Sequence, residues 1–266
     1  MATFRFTAGE RHVFRRRPPI PVSRWCAENL VVKDGPYAGG RFRLDVNPYL
    51  AEIMDTWGQP GVEEVVVCGA PQTGKTLLMY GCLAYCVDRR PGPRMLAMPD
   101  DDTLDKICKA KLLPLFKACP PVRSLLAKTT AGMIRFRDGS AIYLASAQSP
   151  SDRASISVQD LFLDEEALYR QVAGQGVPLI DFKERTNSYG RKSKVLRGSK
   201  PVGGEDCSIC WAISKREEGG YNGVDELRRY EARCPSCMQY QVLTESGLVC
   251  PEKCDDPQEI KRRYLA

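Results

Sequence analysis

Glu63-Glu64-Val65-Val66-Val67-Cys68 followed by Gly69-Ala70-Pro71-Gln72-Thr73-Gly74-Lys75-Thr76 decides how the rest of this chain reads. The last eight residues complete the GxxxxGK[ST] pattern of a phosphate-binding loop. The β-branched run Glu63–Cys68 before them suits a buried strand. Thr76–Val87 (TLLMYGCLAYCV) after them is apolar on nearly all sides, as a helix sandwiched against a sheet must be. The chemistry follows from the geometry of that turn. Backbone N–H groups of a tight Gly-rich loop and of the following helix start form a nest for phosphate oxygens. Gly69, Ala70, Pro71, Gln72, Thr73, Gly74, Lys75 and Thr76 are therefore the candidate ATP-binding residues. Lys75 is expected at the β- and γ-phosphates, and the Thr76 hydroxyl on Mg²⁺.

A nucleoside triphosphatase also needs carboxylates, and Val158–Glu166 (VQDLFLDEE) supplies them. Leu161–Leu163 reads as a central strand that ends in Asp164-Glu165-Glu166. A carboxylate at a strand's C-terminal end can hold Mg²⁺ through water, and the next one can orient and deprotonate the attacking water. Asp164 is accordingly expected on the metal and Glu165 as general base, with Glu166 an ambiguous neighbour. The structural alternative is an exposed acidic helix start, since acidic residues suit a first turn. Arg153 lies in the loop just before this strand. It is the candidate transition-state cation, acting within the subunit or on a neighbour's site.

Composition bounds the answer. At 266 residues and 43% hydrophobic, the chain can bury one main domain with a smaller appendage. No apolar run approaches a membrane span, and the arginine-rich start lacks a following apolar stretch, so neither a membrane anchor nor a signal peptide is expected. The formal charge of +6 is uneven: residues 1–25 carry six arginines against Glu10, and residues 183–200 carry seven Lys or Arg against Glu184. Such clusters suit a polyanion such as nucleic acid, or simply a solvated face.

Six of the twelve cysteines (Cys26, Cys68, Cys82, Cys86, Cys108 and Cys119) are scattered in apolar contexts and read as small buried hydrophobes. The others pair as Cys207-x-x-Cys210, Cys234-Pro-Ser-Cys237 and Cys250-Pro-Glu-Lys-Cys254. Two short-spaced pairs point to tetrahedral zinc, with Cys234, Cys237, Cys250 and Cys254 as the favoured ligands. Cys207 and Cys210 rank second, because CSICW lacks the proline and looks like a helix start. Disulfides are the alternative, disfavoured in a reducing compartment.

Strands alternating with helices give an α/β fold: a P-loop NTPase with a mostly parallel central sheet flanked by helices, plus a small C-terminal zinc-knuckle module. The expected divisions are a basic leader at 1–45, the ATPase core at 46–204 and the zinc module at 205–266. Within the core, Asn47 is expected to cap a helix with Pro48 at its first position. Arg94–Met98 reads as a strand, about Asp101 to Ala118 as helical, and Met133–Phe136 with Ala141–Ala145 as a hairpin around Asp138-Gly139. Leu179–Thr186 reads as a helix and Lys194–Arg197 as a further strand.

The order of these pieces resembles a known family. Asn47-Pro48-Tyr49 leads into Glu52-Ile53-Met54. There follow GAPQTGKT, Ser151-Asp152-Arg153, LFLDEE, KVLRGSKP at Lys194–Pro201, and the CPxC knuckle at Cys234. Together they look like the ATPase half of a large terminase subunit of lambda-like tailed bacteriophages, from about Pro19 to Cys254. The resemblance implies a motor that moves double-stranded viral DNA into a procapsid. It further implies a homo-oligomeric ring, a small terminase subunit and portal as partners, and the host cytoplasm as location, with no membrane. It also implies a residue near the end of the next strand that couples hydrolysis to movement. Ser199 in Gly198-Ser199-Lys200-Pro201 is that candidate, with Lys200 departing from the usual small hydroxyl residue. Such proteins normally continue into a nuclease domain. The chain ends at Ala266 without one, so no DNA cleavage is expected of it. A helicase or remodelling ATPase, and a zinc-bearing nucleotide-binding scaffold, are the alternative readings.

Overall fold

The structure is a computed structural model that describes residues 18–35, 37–154, 156–171, 174–203, 207–233 and 238–242. The chain forms two compact units, Met1–Val202 and Gly203–Ala266.

In the first unit, short aliphatic runs followed by helices produce parallel pairing, because each helix returns the chain to the starting edge of the sheet. The strands are β1 (Glu64–Cys68), β2 (Arg94–Met98), β3 (Leu126–Thr130), β4 (Met133–Phe136), β5 (Ala141–Ser146), β6 (Asp160–Asp164) and β7 (Lys194–Ser199). Their spatial order is β1-β7-β6-β2-β5-β4-β3. The first five run parallel, and β4 and β3 are added antiparallel at one end. The fold is thus α/β with a mostly parallel sheet, and the hairpin around Asp138-Gly139 is present as β4–β5. β1 lies at the edge of the described sheet and is only half-buried, whereas β6 is buried throughout.

Side chains alternate between two covered faces. Phe162 of β6 and Leu196 of β7 join a large core on one face, while Leu161, Leu163 and Val195 join a smaller one on the other. The large core holds α1 (Val22–Asn29), α2 (Tyr49–Gly58) and α3 (Lys75–Arg89). α3 packs against β6 and β7 on one side and α1 and α2 on the other, which explains its apolarity all round. At Gly81 an added Cβ would stand 3.1 Å from Cys26 Sγ and 3.2 Å from Leu30 Cδ1, so the absence of a side chain lets α1 approach α3. α1 falls inside the segment read as a basic leader. Its Val22, Trp25 and Cys26 are buried, so this part of the leader is core.

One local reading is corrected, and the helical stretch expected from about Asp101 to Ala118 is present with a π-turn inside it. α2 begins at Tyr49 with Pro48 at the cap, and no side chain caps it; the Asn47 carboxamide instead accepts from the Tyr49 hydroxyl at 3.3 Å. The helical stretch after β2 is α4 (Asp101–Ile107), a π-turn (Cys108–Leu112) and α5 (Leu113–Ala118). Pro114 cannot donate within a regular helix and its ring crowds the preceding turn, and a wider π-turn accommodates both. α6 (Pro120–Leu125), α7 (Pro150–Ala154) and α8 (Pro178–Glu184) complete the first unit's α-helices among the described residues.

In the second unit, α9 (Ser208–Ile213) begins after Cys207, and β8 (Glu231–Arg233) pairs antiparallel with β9 (Tyr240–Val242). The Cys207 and Cys210 sulfurs are 2.7 Å apart. Cys234, Cys237, Cys250 and Cys254 lie outside the described residues, and no cluster of three or more potential metal ligands occurs among the described ones. No helix among the described residues is long and apolar enough to cross a membrane.

Candidate nucleotide site

The parallel register brings the predicted site together. Cys68 at the end of β1 pairs with Ser199 at the end of β7, and Asp164 at the end of β6 pairs with Gly198. Neighbouring strands stand about 4.8 Å apart, so the loop after β1 and the carboxylates after β6 are about 10 Å apart, with Ser199 between them. The Gly69 N–H donates to the Ser199 carbonyl at 3.2 Å, which ties the loop's entry to β7.

The loop fits a polyphosphate. Gln72 and Gly74 adopt positive φ, 62° and 83°, and only glycine takes the second without strain. Gly74 caps α3 with no side-chain hydrogen bond, and no acidic residue lies in the first turn, so its leading N–H groups are left for an anion. Lys75 is buried, with its ammonium donating to the Gly69 and Ala70 carbonyls at 2.9 and 2.7 Å. The Thr73 hydroxyl donates to the Ala70 carbonyl at 2.8 Å. Ala70 and Pro71 are exposed, and Thr76 is half-buried one residue into α3. Tyr49, which sequence reasoning used only as part of a motif, donates its hydroxyl to the Thr73 carbonyl at 2.7 Å and braces the loop from α2.

The three acidic residues after β6 separate by direction. Asp164 is 2% exposed, and its Oδ1 has no hydrogen-bond partner among the described residues. Burial, then the neighbouring Glu165 charge, pushes its carboxyl up to about 7, against the downward pull of a backbone hydrogen bond and of Lys75 and Lys111. A buried carboxylate oxygen left unpaired beside a lysine suits a divalent cation, which fits the expected metal role. Glu165 takes a left-handed backbone conformation (φ 51°, ψ 41°), strain of a kind that collects at functional sites. Its Oε2 accepts from the Ser199 hydroxyl at 3.3 Å, and Ser199 is itself fully buried.

Glu166 turns the other way. Arg197 of β7 grips it with two hydrogen bonds, 2.5 and 2.6 Å, and reaches Glu64 of β1 at 2.7 Å. Burial works against ionising Glu64, but Arg197 and then Lys183 outweigh it and lower its pKa. Glu166 is thus a buried brace joining β1, β6 and β7 beneath the site. Nothing in the sequence distinguished it from Glu165. Tyr80 was also missed: it lies one helical turn after Thr76, and its buried hydroxyl has no partner among the described residues.

Arg153 is 3% exposed, and its guanidinium serves other groups. It donates to the Gly176 carbonyl and to Asp181 at 3.0 Å each and to Gln175 at 2.6 Å. None of these partners belongs to the loop or to the Asp164–Glu165 pair. The basic stretch 183–200 is also largely committed: Lys183 pairs with Glu64, Lys194 donates to the Gln59 and Val62 carbonyls, and Arg197 holds Glu166. Of its cations only Arg191 and Lys192 are exposed, and Lys194 and Arg197 are buried because β7 is an interior strand.

Comparison with known proteins agrees with this geometry. The chain is 24% identical over 245 residues to the terminase large subunit of Escherichia phage lambda, covering 89% of this chain and 36% of that protein. It is 23% identical over 237 residues to the terminase large subunit of Enterobacteria phage P21, covering 85% and 35%. The chain therefore spans only about a third of these relatives. The crystal structure of the HK97 bacteriophage large terminase superposes with a TM-score of 0.57 at 15% identity, over 71% of this chain and 39% of that one, a likeness of fold. The family model described as the phage terminase large subunit gpA, ATPase domain, matches residues 37–262. With the phosphate loop and the Asp164–Glu165 pair at the ends of the two parallel strands that flank β7, the chain belongs to the gpA ATPase-domain family of phage large terminases.

Proposed function

We propose that this chain is the Mg²⁺-dependent, ATP-hydrolysing motor portion of a terminase that drives double-stranded DNA into a procapsid. The observation that carries the reading is the placement of the 69–76 loop, Ser199 and the Asp164–Glu165 pair at the C-terminal ends of β1, β7 and β6. The loop N–H groups and the α3 start bind the phosphates, and Lys75 exchanges its two loop carbonyls for β- and γ-phosphate oxygens. Thr76 and Asp164 would hold Mg²⁺, which when bound neutralises charge on the phosphates. Glu165 takes the proton of the attacking water, and Ser199, in contact with Glu165 and with the loop's entry, couples hydrolysis to β7. Arg153 serves as transition-state cation only after leaving Asp181, for its own or a neighbour's triphosphate in a ring. The small terminase subunit and portal are the partners this reading assigns.

Zinc belongs to the same proposal. Cys234 and Cys237 lie in sequence between Arg233 and Tyr240, which face each other across the β8–β9 pair, and Met238 takes a positive φ of 63°. With Cys250 and Cys254 they complete a four-thiolate set whose zinc stiffens a segment with little core of its own.

The test is ATP turnover measured with and without duplex DNA, on wild type and Lys75→Ala. Wild type should hydrolyse ATP, faster with DNA, and the variant should do neither. Equal turnover in the two proteins refutes the site, and DNA-independent turnover refutes the motor.

A further inference from the structure

With Lys194 and Arg197 buried on β7 and Lys183 paired with Glu64, the most basic accessible part of the first unit lies outside the 183–200 stretch. The 32 residues from Lys106 to Arg137 contain eight Lys or Arg and no Asp or Glu. Lys109 and Lys111 are paired, with Asp105 and Asp34. Lys128, Arg135 and Arg137 are exposed and form no ion pair among the described residues.

Their arrangement is specific. Lys128 of β3 stands directly opposite Arg135 of β4 in the antiparallel ladder. On β4 the chain alternates, with Ile134 and Phe136 buried and Arg135 exposed; Arg137 continues that exposed series just past the strand end. Two residues along a strand span about 6.7 Å, a step comparable to that between successive backbone phosphates. Like charges facing each other across a ladder destabilise it, so the pair is unfavourable until an anion arrives. The next carboxylate along the chain does not supply one: Asp138 accepts from the Ser140 N–H at 3.0 Å and hydroxyl at 2.8 Å, within its own turn. β3 is also the outer strand of the described sheet, so its far edge presents further backbone N–H groups.

We propose that the β3–β4 hairpin is the duplex-backbone contact of this ATPase, with Lys128, Arg135 and Arg137 each neutralising a DNA phosphate. This rests on the reading of the chain as a DNA-translocating motor. Phosphate contacts position without reading sequence, as translocation over arbitrary DNA requires. The hairpin joins β5 within the same sheet as the nucleotide site, so a push on it is carried through β5 and β2 to β6.

The experiment is equilibrium binding of the full chain to a random-sequence duplex by fluorescence anisotropy across about 50–200 mM salt, where each phosphate contact adds about −0.9 to the slope of log K against log salt. The triple variant Lys128→Gln, Arg135→Gln, Arg137→Gln should lose about 2–3 from that slope, with the basal ATP turnover measured in the absence of DNA retained. The charge-keeping exchange Lys128→Arg with Arg135→Lys should hold the wild-type slope, as should Arg191→Gln with Lys192→Gln. A triple variant with an unchanged slope, even one that aggregates through an unprotected edge, overturns the proposal. So does a slope lost in the 191/192 variant. Wild type that binds duplex with no salt dependence sinks the motor reading itself, a different result from failure of the hairpin alone.

Discussion

Asp164→Asn tests the electrostatics of the site without any ligand. Burial and Glu165 carry the Asp164 carboxyl from its ordinary value near 3.8 to about 7 in the folded protein. Between those values the folded state binds more protons than the unfolded state, so this group's contribution to stability falls as pH rises. At about 1.36 kcal/mol per tenfold change in proton affinity, this carboxyl destabilises the fold by about 4 kcal/mol at pH 8, where it is ionised, and by about 2 kcal/mol at pH 5.5, where the fold holds it protonated while the unfolded chain ionises it. Asparagine keeps the shape and the acceptor but never ionises. The variant should therefore be more stable than wild type by about 2–4 kcal/mol at pH 8, and by about half that at pH 5.5. The assay is urea unfolding followed by tryptophan fluorescence, in EDTA and without nucleotide, at both pH values. A variant no more stable than wild type at pH 8, or one whose advantage is equal at the two pH values, would refute the dry, carboxylate-crowded site. The expected gain in stability with loss of hydrolysis is the signature of a residue retained for function at the expense of the fold.

Other outcomes follow from the same geometry. Glu165→Gln should keep ATP binding and lose about 10²–10⁴-fold in turnover, measured by nucleotide titration beside a phosphate-release assay. Arg197→Ala removes both guanidinium hydrogen bonds from the buried Glu166 and should cost about 3–5 kcal/mol in urea unfolding, whereas Lys192→Ala on the surface should cost little. Arg153→Ala should slow DNA-stimulated turnover by about 10³-fold or more if Arg153 is the transition-state cation; a change within about threefold would leave it as a brace for α8 alone. Removing zinc with a chelator should release metal in proportion to protein and expose the 231–242 region to protease, and protection unchanged by the chelator would argue against a metal there.

The strongest signals in the sequence were local ones. GAPQTGKT and LFLDEE each specify a turn and a strand end within a few residues, because glycine at positive φ and a run of core aliphatics leave few alternatives. Composition also separated the scattered cysteines, of which Cys26, Cys82, Cys86, Cys108 and Cys119 are buried, from the paired ones near the end. β3 was missed because Leu126–Thr130 is a polar edge strand, with almost no apolar face to set a period. The leader was misjudged past residue 18 because Val22, Trp25 and Cys26 bury one side of a short helix amid arginines that dominate the composition.

From its sequence alone this protein had a phosphate loop, an acidic strand end and an order of motifs that matched a family, since each depends only on neighbours along the chain. The fold alone decided the rest: that β7 lies between the two motif strands, that Glu166 faces Arg197 while Glu165 faces Ser199, that Arg153 is held by Asp181, and that the cations of β7 are interior while those of β3–β4 are not. The reason is physical. A charge acts according to what surrounds it, and packing brings together residues that stand far apart in sequence.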